Sequence, residues 1–206
     1  DLYGVDAEST SGDAISFDAS ASTTLQQLAE TIAGDAQAVS ELGEQEALAL
    51  TTLLSSGDAT LIADALASLA GDASSVDGTA ESRSQLSALL GLNSQSIDVE
   101  GDAELLATLG LSSTNGASSM TGNAKASTNA GTVDGISVDQ LDAEGEITLG
   151  SDVDADLTLL ASSVDGTADA ELTIDELVSL NGVLDSDSDA ALTLSSDMSV
   201  SVESSS

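Results

Sequence analysis

Leu61-Ile62-Ala63-Asp64-Ala65-Leu66-Ala67-Ser68-Leu69 is the stretch on which the fold turns. Its apolar residues Leu61, Ile62, Ala65, Leu66 and Leu69 fall at the i, i+3, i+4 spacing of one helical face. The same spacing recurs on both sides of it, from Thr23 to Leu111. Leu25, Leu28, Ala29 and Ile32 mark one segment. Ala38, Val39 and Leu42, then Ala47, Leu48, Leu50, Leu53 and Leu54, mark another, broken at Gly43. Leu86, Leu89 and Leu90 mark a further one, and Leu105, Leu106 and Leu109 the last. Gly34-Asp35, Gly57-Asp58, Gly71-Asp72 and Gly101-Asp102 punctuate them, each with a glycine suited to end a helix and an acid suited to open the next. This reading predicts an α-rich region over 20–111, preceded by an extended segment over 1–19 in which Ala14-Ile15-Ser16-Phe17-Asp18 is a strand candidate.

Residues 112–132 are dense in Ser, Thr, Asn and Gly, which predicts a polar linker or long loop. After it the period changes. Glu146-Ile147-Thr148-Leu149, Asp156-Leu157-Thr158-Leu159, Glu171-Leu172-Thr173-Ile174 and Ala191-Leu192-Thr193-Leu194 share one alternating form, and Met198-Ser199-Val200-Ser201-Val202-Glu203 alternates too. Period two with threonine on one face predicts half-buried strands over 133–206. The expected fold class is therefore α+β, with an α-rich N-terminal half and a β-rich C-terminal half. A β-solenoid or β-sandwich throughout the C-terminal half is the alternative. It draws on internal echoes: Ser-Ser-Val-Asp-Gly-Thr-Ala at 74–80 and again at 162–168, and Gly-Asp-Ala at 12, 34, 57, 71 and 101.

Charge limits what the chain can do. The 206 residues hold 37 acids against Lys125 and Arg83, a net charge of -35, with no His, Cys or Pro. Two cations cannot form a basic patch, which excludes nucleic acid and direct binding to anionic lipid. No apolar run approaches the roughly 20 residues of a membrane-spanning helix, so no direct membrane insertion is expected. At 41% hydrophobic residues the chain is too apolar for an acidic disordered tail. Self-repulsion among the acids opposes compaction unless salt, a divalent cation or assembly relieves it. Without His or Cys the usual zinc sites, imidazole acid–base chemistry and thiol nucleophiles are missing. Paired carboxylates alone would need the aromatic platforms on which sugar sites lean, and only Tyr3 and Phe17 are aromatic. An enzyme is not expected. The chain opens on Asp1 rather than Met, which fits a leader already removed and an exported protein.

One segment is a candidate metal site. Asp165-Gly-Thr167-Ala-Asp169-Ala-Glu171-Leu-Thr-Ile-Asp-Glu176 resembles the calcium loop of the EF-hand family. Asp165, Thr167 and Asp169 stand at loop positions 1, 3 and 5, Glu171 at the carbonyl position 7 and Glu176 at the closing bidentate position 12. The resemblance implies calcium held by these five residues. It departs from the family at Ala170, where the loop needs glycine, and no strong helix precedes it. The run Asp185-Ser-Asp187-Ser-Asp189 repeats its first half, and Asp152, Asp154 and Asp156 also alternate. In a chain this acidic, such runs also arise as solvated turns and faces.

In composition and in the Leu-Thr-Leu motifs over 145–204, the chain resembles repetitive acidic bacterial cell-surface, filament and adhesin proteins. That class-level resemblance implies an extracellular or cell-surface structural protein that polymerises with itself. A calcium-binding adhesin module of a larger surface protein and a halophilic cytosolic protein are the alternatives. Tyr3 and Phe17 are either core residues of a first strand or anchors by which segment 1–18 adds to a neighbouring subunit.

Overall fold

The computed structural model describes residues 2–186 and 188–206. Among them every element is a strand: β1 (Leu2–Gly12), β2 (Ile15–Ala33), β3 (Ala36–Ser55), β4 (Ala59–Asp77), β5 (Ala80–Val99), β6 (Ala103–Thr121), β7 (Ala124–Ala143), β8 (Ile147–Asp165), β9 (Ala168–Ser186) and β10 (Ala190–Ser205). Successive strands alternate between two parallel five-stranded sheets. Sheet A runs β1-β3-β5-β7-β9 and sheet B runs β2-β4-β6-β8-β10. Ala36, Ala80, Ala124 and Ala168 lie in one column, and Leu61, Leu105 and Leu149 in another. Each interior coil therefore consumes 44 residues. The molecule is a flattened β-solenoid whose interior strands run 19 or 20 residues, roughly 65 Å at about 3.3 Å per residue.

The α-rich N-terminal half is thus overturned, and the reason lies in the opening stretch. Leu61, Ala63, Ala65, Ala67 and Leu69 all point into the core, whereas Ile62, Asp64, Leu66 and Ser68 point outward. The alternation is complete, but alanine fills the central inward positions Ala63, Ala65 and Ala67, while Ile62 and Leu66 occupy outward ones. Counting only large aliphatics therefore gives the helical period, and counting buried atoms gives period two. The solenoid alternative, framed for the C-terminal half, describes both halves. The segment 112–132 is not a linker but the end of β6, one turn and the start of β7.

The core changes along each strand. One end of every coil is filled by Leu, Ile and Val, including Leu48, Leu61, Leu92, Leu105, Ile136 and Leu149. The other end is thin and built from alanine: Ala36, Ala38, Ala73, Ala80, Ala117, Ala124, Ala126 and Ala161. Between them lies a buried polar knot, and it explains the polarity of 112–132. Asn115 Nδ2 donates to Thr128 Oγ1 at 2.7 Å, Ser82 and Ser84 donate to Asn115 Oδ1 at 3.0 and 2.9 Å, and Ser113 and Thr128 share a bond at 3.0 Å. Each hydroxyl and amide group finds a partner, so burial costs little.

The corners stay bonded to one another. Gly34 N–H donates to the Asp77 carbonyl, Gly78 to Thr121 and Gly122 to Asp165, at 2.8 to 3.0 Å. A Cβ on Gly78 would stand 2.2 Å from the Gly34 carbonyl oxygen, and one on Gly122 2.3 Å from that of Gly78. Both glycines also hold a positive φ, so the stacked corner has no room for a side chain.

Candidate assembly interface

Among the described residues the outermost strands, β1 and β2 at one end and β9 and β10 at the other, pair on one side only. An open parallel edge presents a row of N–H and C=O groups with no internal partner, which is a template for another strand. Inward-facing side chains at such an end also lose one of their two stacking neighbours. The consequence is clearest on β10. Leu192, Met198 and Val200 occupy inward columns, yet they are 48%, 57% and 44% exposed. Leu194 and Val202 complete the same apolar row. At the opposite end β2 places Phe17, Ala19, Ala21, Thr23 and Leu25 in the corresponding columns, where Ala19 and Ala21 are already buried. Phe17 and Leu25 pack against the core from one side only.

The flank of sheet A carries the second unusual feature. Strand pairing lapses at Gly43, Ala47 and Thr51, at Ser87, Gly91 and Gln95 one coil on, and at Gly131, Gly135 and Asp139 beyond that. These kinks reverse the inward phase of the strand. Three need glycine by contact: a Cβ on Gly91 would meet the Gly135 carbonyl at 2.4 Å, one on Gly131 the Ser87 carbonyl at 2.1 Å, and one on Gly135 the Ser179 carbonyl at 2.8 Å. In one column beside the kinks stand Tyr3, Glu46, Leu90, Asp134 and Val178. Glu46 and Asp134 are only 3% and 7% exposed, and Glu46 Oε1 and Asp134 Oδ1 lack a hydrogen-bond partner. Burial pushes the Asp134 carboxyl up to about 6, with Glu176 adding to the rise and a bond from Ser137 opposing it. Burial also raises Glu46; Asn93 opposes that rise, while Glu44 and Asp6 add to it. Sequence reading missed both residues, because a buried acid in an acid-rich chain leaves no local signal.

Of the residues read as an EF-hand-like loop, Asp165 closes β8, Thr167 lies in the corner, and Asp169, Glu171 and Glu176 lie along β9. Thr167 donates its N–H and hydroxyl to Asn123 Oδ1 at 3.1 and 2.9 Å. Glu171 lies 3.8 Å from Lys125 Nζ. A calcium loop must wrap so that positions 1 to 12 converge. Here the extended backbone carries Glu176 roughly 30 Å from Thr167, at about 3.3 Å per residue. The structure does not bring the five residues together, and no helix flanks them among the described residues. Nor, among the described residues, does any group of three or more acids converge as a metal would require. Asp152, Asp154 and Asp156 face outward along β8. Asp187 of the second run lies outside the described residues.

The acids instead form columns. Asp58, Asp102, Glu146 and Asp189 stack corner on corner, and Asp98, Asp142 and Asp185 stack beside them. The two cations bridge neighbouring coils on sheet A: Arg83 to Glu41 at 2.7 Å and Lys125 to Glu171 at 3.8 Å. All four side chains are well exposed, so each pair contributes well under about 1 kcal/mol. No family model matches the chain, and no curated protein or solved structure matches it either.

Proposed function

We propose that the chain is a non-catalytic structural protein, exported to the cell surface or beyond, which polymerises with copies of itself into a filament or layer. The observation that carries this reading is the pair of open sheet edges. Among the described residues the outermost strands pair on one side only and carry apolar side chains in inward columns, and the β10 row is exposed along its whole length. A heterologous end-to-end contact between such surfaces does not close on itself and so propagates. The long sides suit this role. They carry columns of carboxylates among short polar groups and scattered aliphatics such as Leu66 and Leu160, and that charge keeps finished filaments apart.

The test is electron microscopy with sedimentation on the purified chain, across low salt, molar salt and millimolar calcium. Unbranched fibres or sheets with a cross-strand spacing near 4.8 Å are expected once charge is screened. A monodisperse monomer under every condition would overturn the reading.

A further inference from the structure

We infer that two copies of this chain join head to tail in the register of the interior coils, β1 of one copy adding to β9 of the other and β2 to β10. This rests on the assembly reading above and specifies its contact.

The register follows from the columns. Continuing them by one coil sets Leu192 against Phe17 of the next copy, Leu194 against Ala19, Ser196 against Ala21, Met198 against Thr23 and Val200 against Leu25. The bulkier residues of β10 thus fall on the smaller residues of β2 at two of these positions, while Phe17 meets the leucine column that it already heads. In sheet A, Leu177 falls on Leu2, Val178 on Tyr3, Leu180 on Val5 and Leu184 on Thr10. Both aromatic residues of the chain stand at this seam.

Charge is compatible with this register. Inside the molecule acids stack on acids, as Asp98 does on Asp142 and Asp154 on Asp197. At the inferred seam none does among the described residues. Asp185 meets Ser11, Asp189 meets Ala14, Asp197 meets Ser22 and Glu203 meets Leu28, while Asp6 meets Asn181, Asp18 meets Thr193 and Glu30 meets Ser205. Like charges directly opposed are destabilising, and this register opposes none among the described residues. The described pairings of the seam cover β10 and residues 177–186 of β9, which face β1.

The absence of cysteine makes the register directly testable. Ser20 and Ser195 are exposed, face outward and stand in one column, four coils apart within a chain. Four spacings of about 4.8 Å put them near 19 Å, beyond any internal disulfide. Across the seam they would be neighbours at about 4.8 Å, within disulfide range. The S20C/S195C variant, oxidised under assembly conditions, is expected to give a ladder of covalent multimers on a non-reducing gel. S20C/S201C, displaced by six residues or roughly 20 Å along the strand, is expected to assemble equally but to run as the single chain on the same gel. Fibres without a ladder, or equal ladders from both variants, would overturn the register and leave the assembly reading standing. Monomers without fibres would overturn both.

Discussion

Asp102 Oδ1 accepts the backbone N–H of Glu146 at 2.8 Å, one coil further along the solenoid. The same bond joins Asp58 Oδ1 to the N–H of Asp102 at 3.1 Å, and Asp35 Oδ1 to that of Thr79 at 2.9 Å. The corner acids therefore have two opposed effects. Their oxygens cap N–H groups that the sheet ladder cannot reach, and their charges repel along the column.

The two effects separate by substitution. Asp102→Ala removes the acceptor and is expected to cost about 1 kcal/mol in chemical denaturation. Asp102→Asn keeps an acceptor and deletes one charge from the Asp58–Asp102–Glu146–Asp189 column. At low ionic strength it is expected to match or exceed the parent in stability, with the gain fading as salt is added. A loss equal to that of the alanine variant would show that the charge, not the acceptor, is what the corner needs.

Glycine corners give a second contrast. Gly34 has a φ of 103°, but a Cβ added there would meet nothing within 4 Å, whereas Gly78 has a φ of 146° and the Gly34 carbonyl 2.2 Å from the place its Cβ would take. Gly34→Ala is expected to cost only the backbone strain, on the order of 1 kcal/mol. Gly78→Ala adds a clash with backbone that cannot turn aside, and is expected to cost several times as much. Thermal melts of the two variants measure the difference directly.

Those corners are also where the fold is most legible in the sequence. Gly34, Gly78, Gly122 and Gly166 recur at the coil length, and the two copies of Ser-Ser-Val-Asp-Gly-Thr-Ala start at 74 and 162, two coils apart. The echoes are visible, but a coil of 44 residues is far longer than the spacing between neighbouring Leu-Thr-Leu motifs, so the motifs do not reveal it. The strands of 145–204 are legible because Ile147, Leu149, Leu157 and Leu159 put large aliphatics inward. Those of 20–111 are not, because alanine lines much of their core and is apolar under either period. Asn115 and Thr128 mislead in the opposite sense. Polarity predicts exposure, yet they satisfy one another inside. The calcium reading draws on side-chain spacing alone, and Asp169, Glu171 and Glu176 lie along an extended strand that separates them.

The sheet A acids predict a pH dependence. The Asp134 carboxyl is raised from 3.8 to about 6 in the folded state, so the folded chain holds this proton more tightly than the unfolded chain. Its favourable contribution is complete below about 4 and is lost as pH rises through about 6. Glu46 acts in the same direction. Asp134→Asn is therefore expected to stabilise the protein at pH 7.5, by on the order of 1–2 kcal/mol after allowance for solvent nearby, and to change little at pH 4. The comparison is between variant and parent at each pH, because acid also relieves the general repulsion of the chain. A variant equally shifted at both pH values would remove Asp134 from the titration.

The open end makes the last prediction. Leu192 and Val200 are about half exposed in the single chain but would be enclosed by Phe17 and Leu25 of a second copy. Lysine at these positions leaves the single chain little disturbed, since its ammonium group can reach solvent from an open edge. Within a joined pair the same group would be buried without a partner, at a cost of several kcal/mol. Leu192→Lys with Val200→Lys is expected to keep the melting temperature within a few degrees of the parent and to abolish pelletable assembly. Lysine also lowers the net negative charge, so added repulsion cannot account for that loss. Undiminished fibres from the double variant would mean that β10 lies outside the contact.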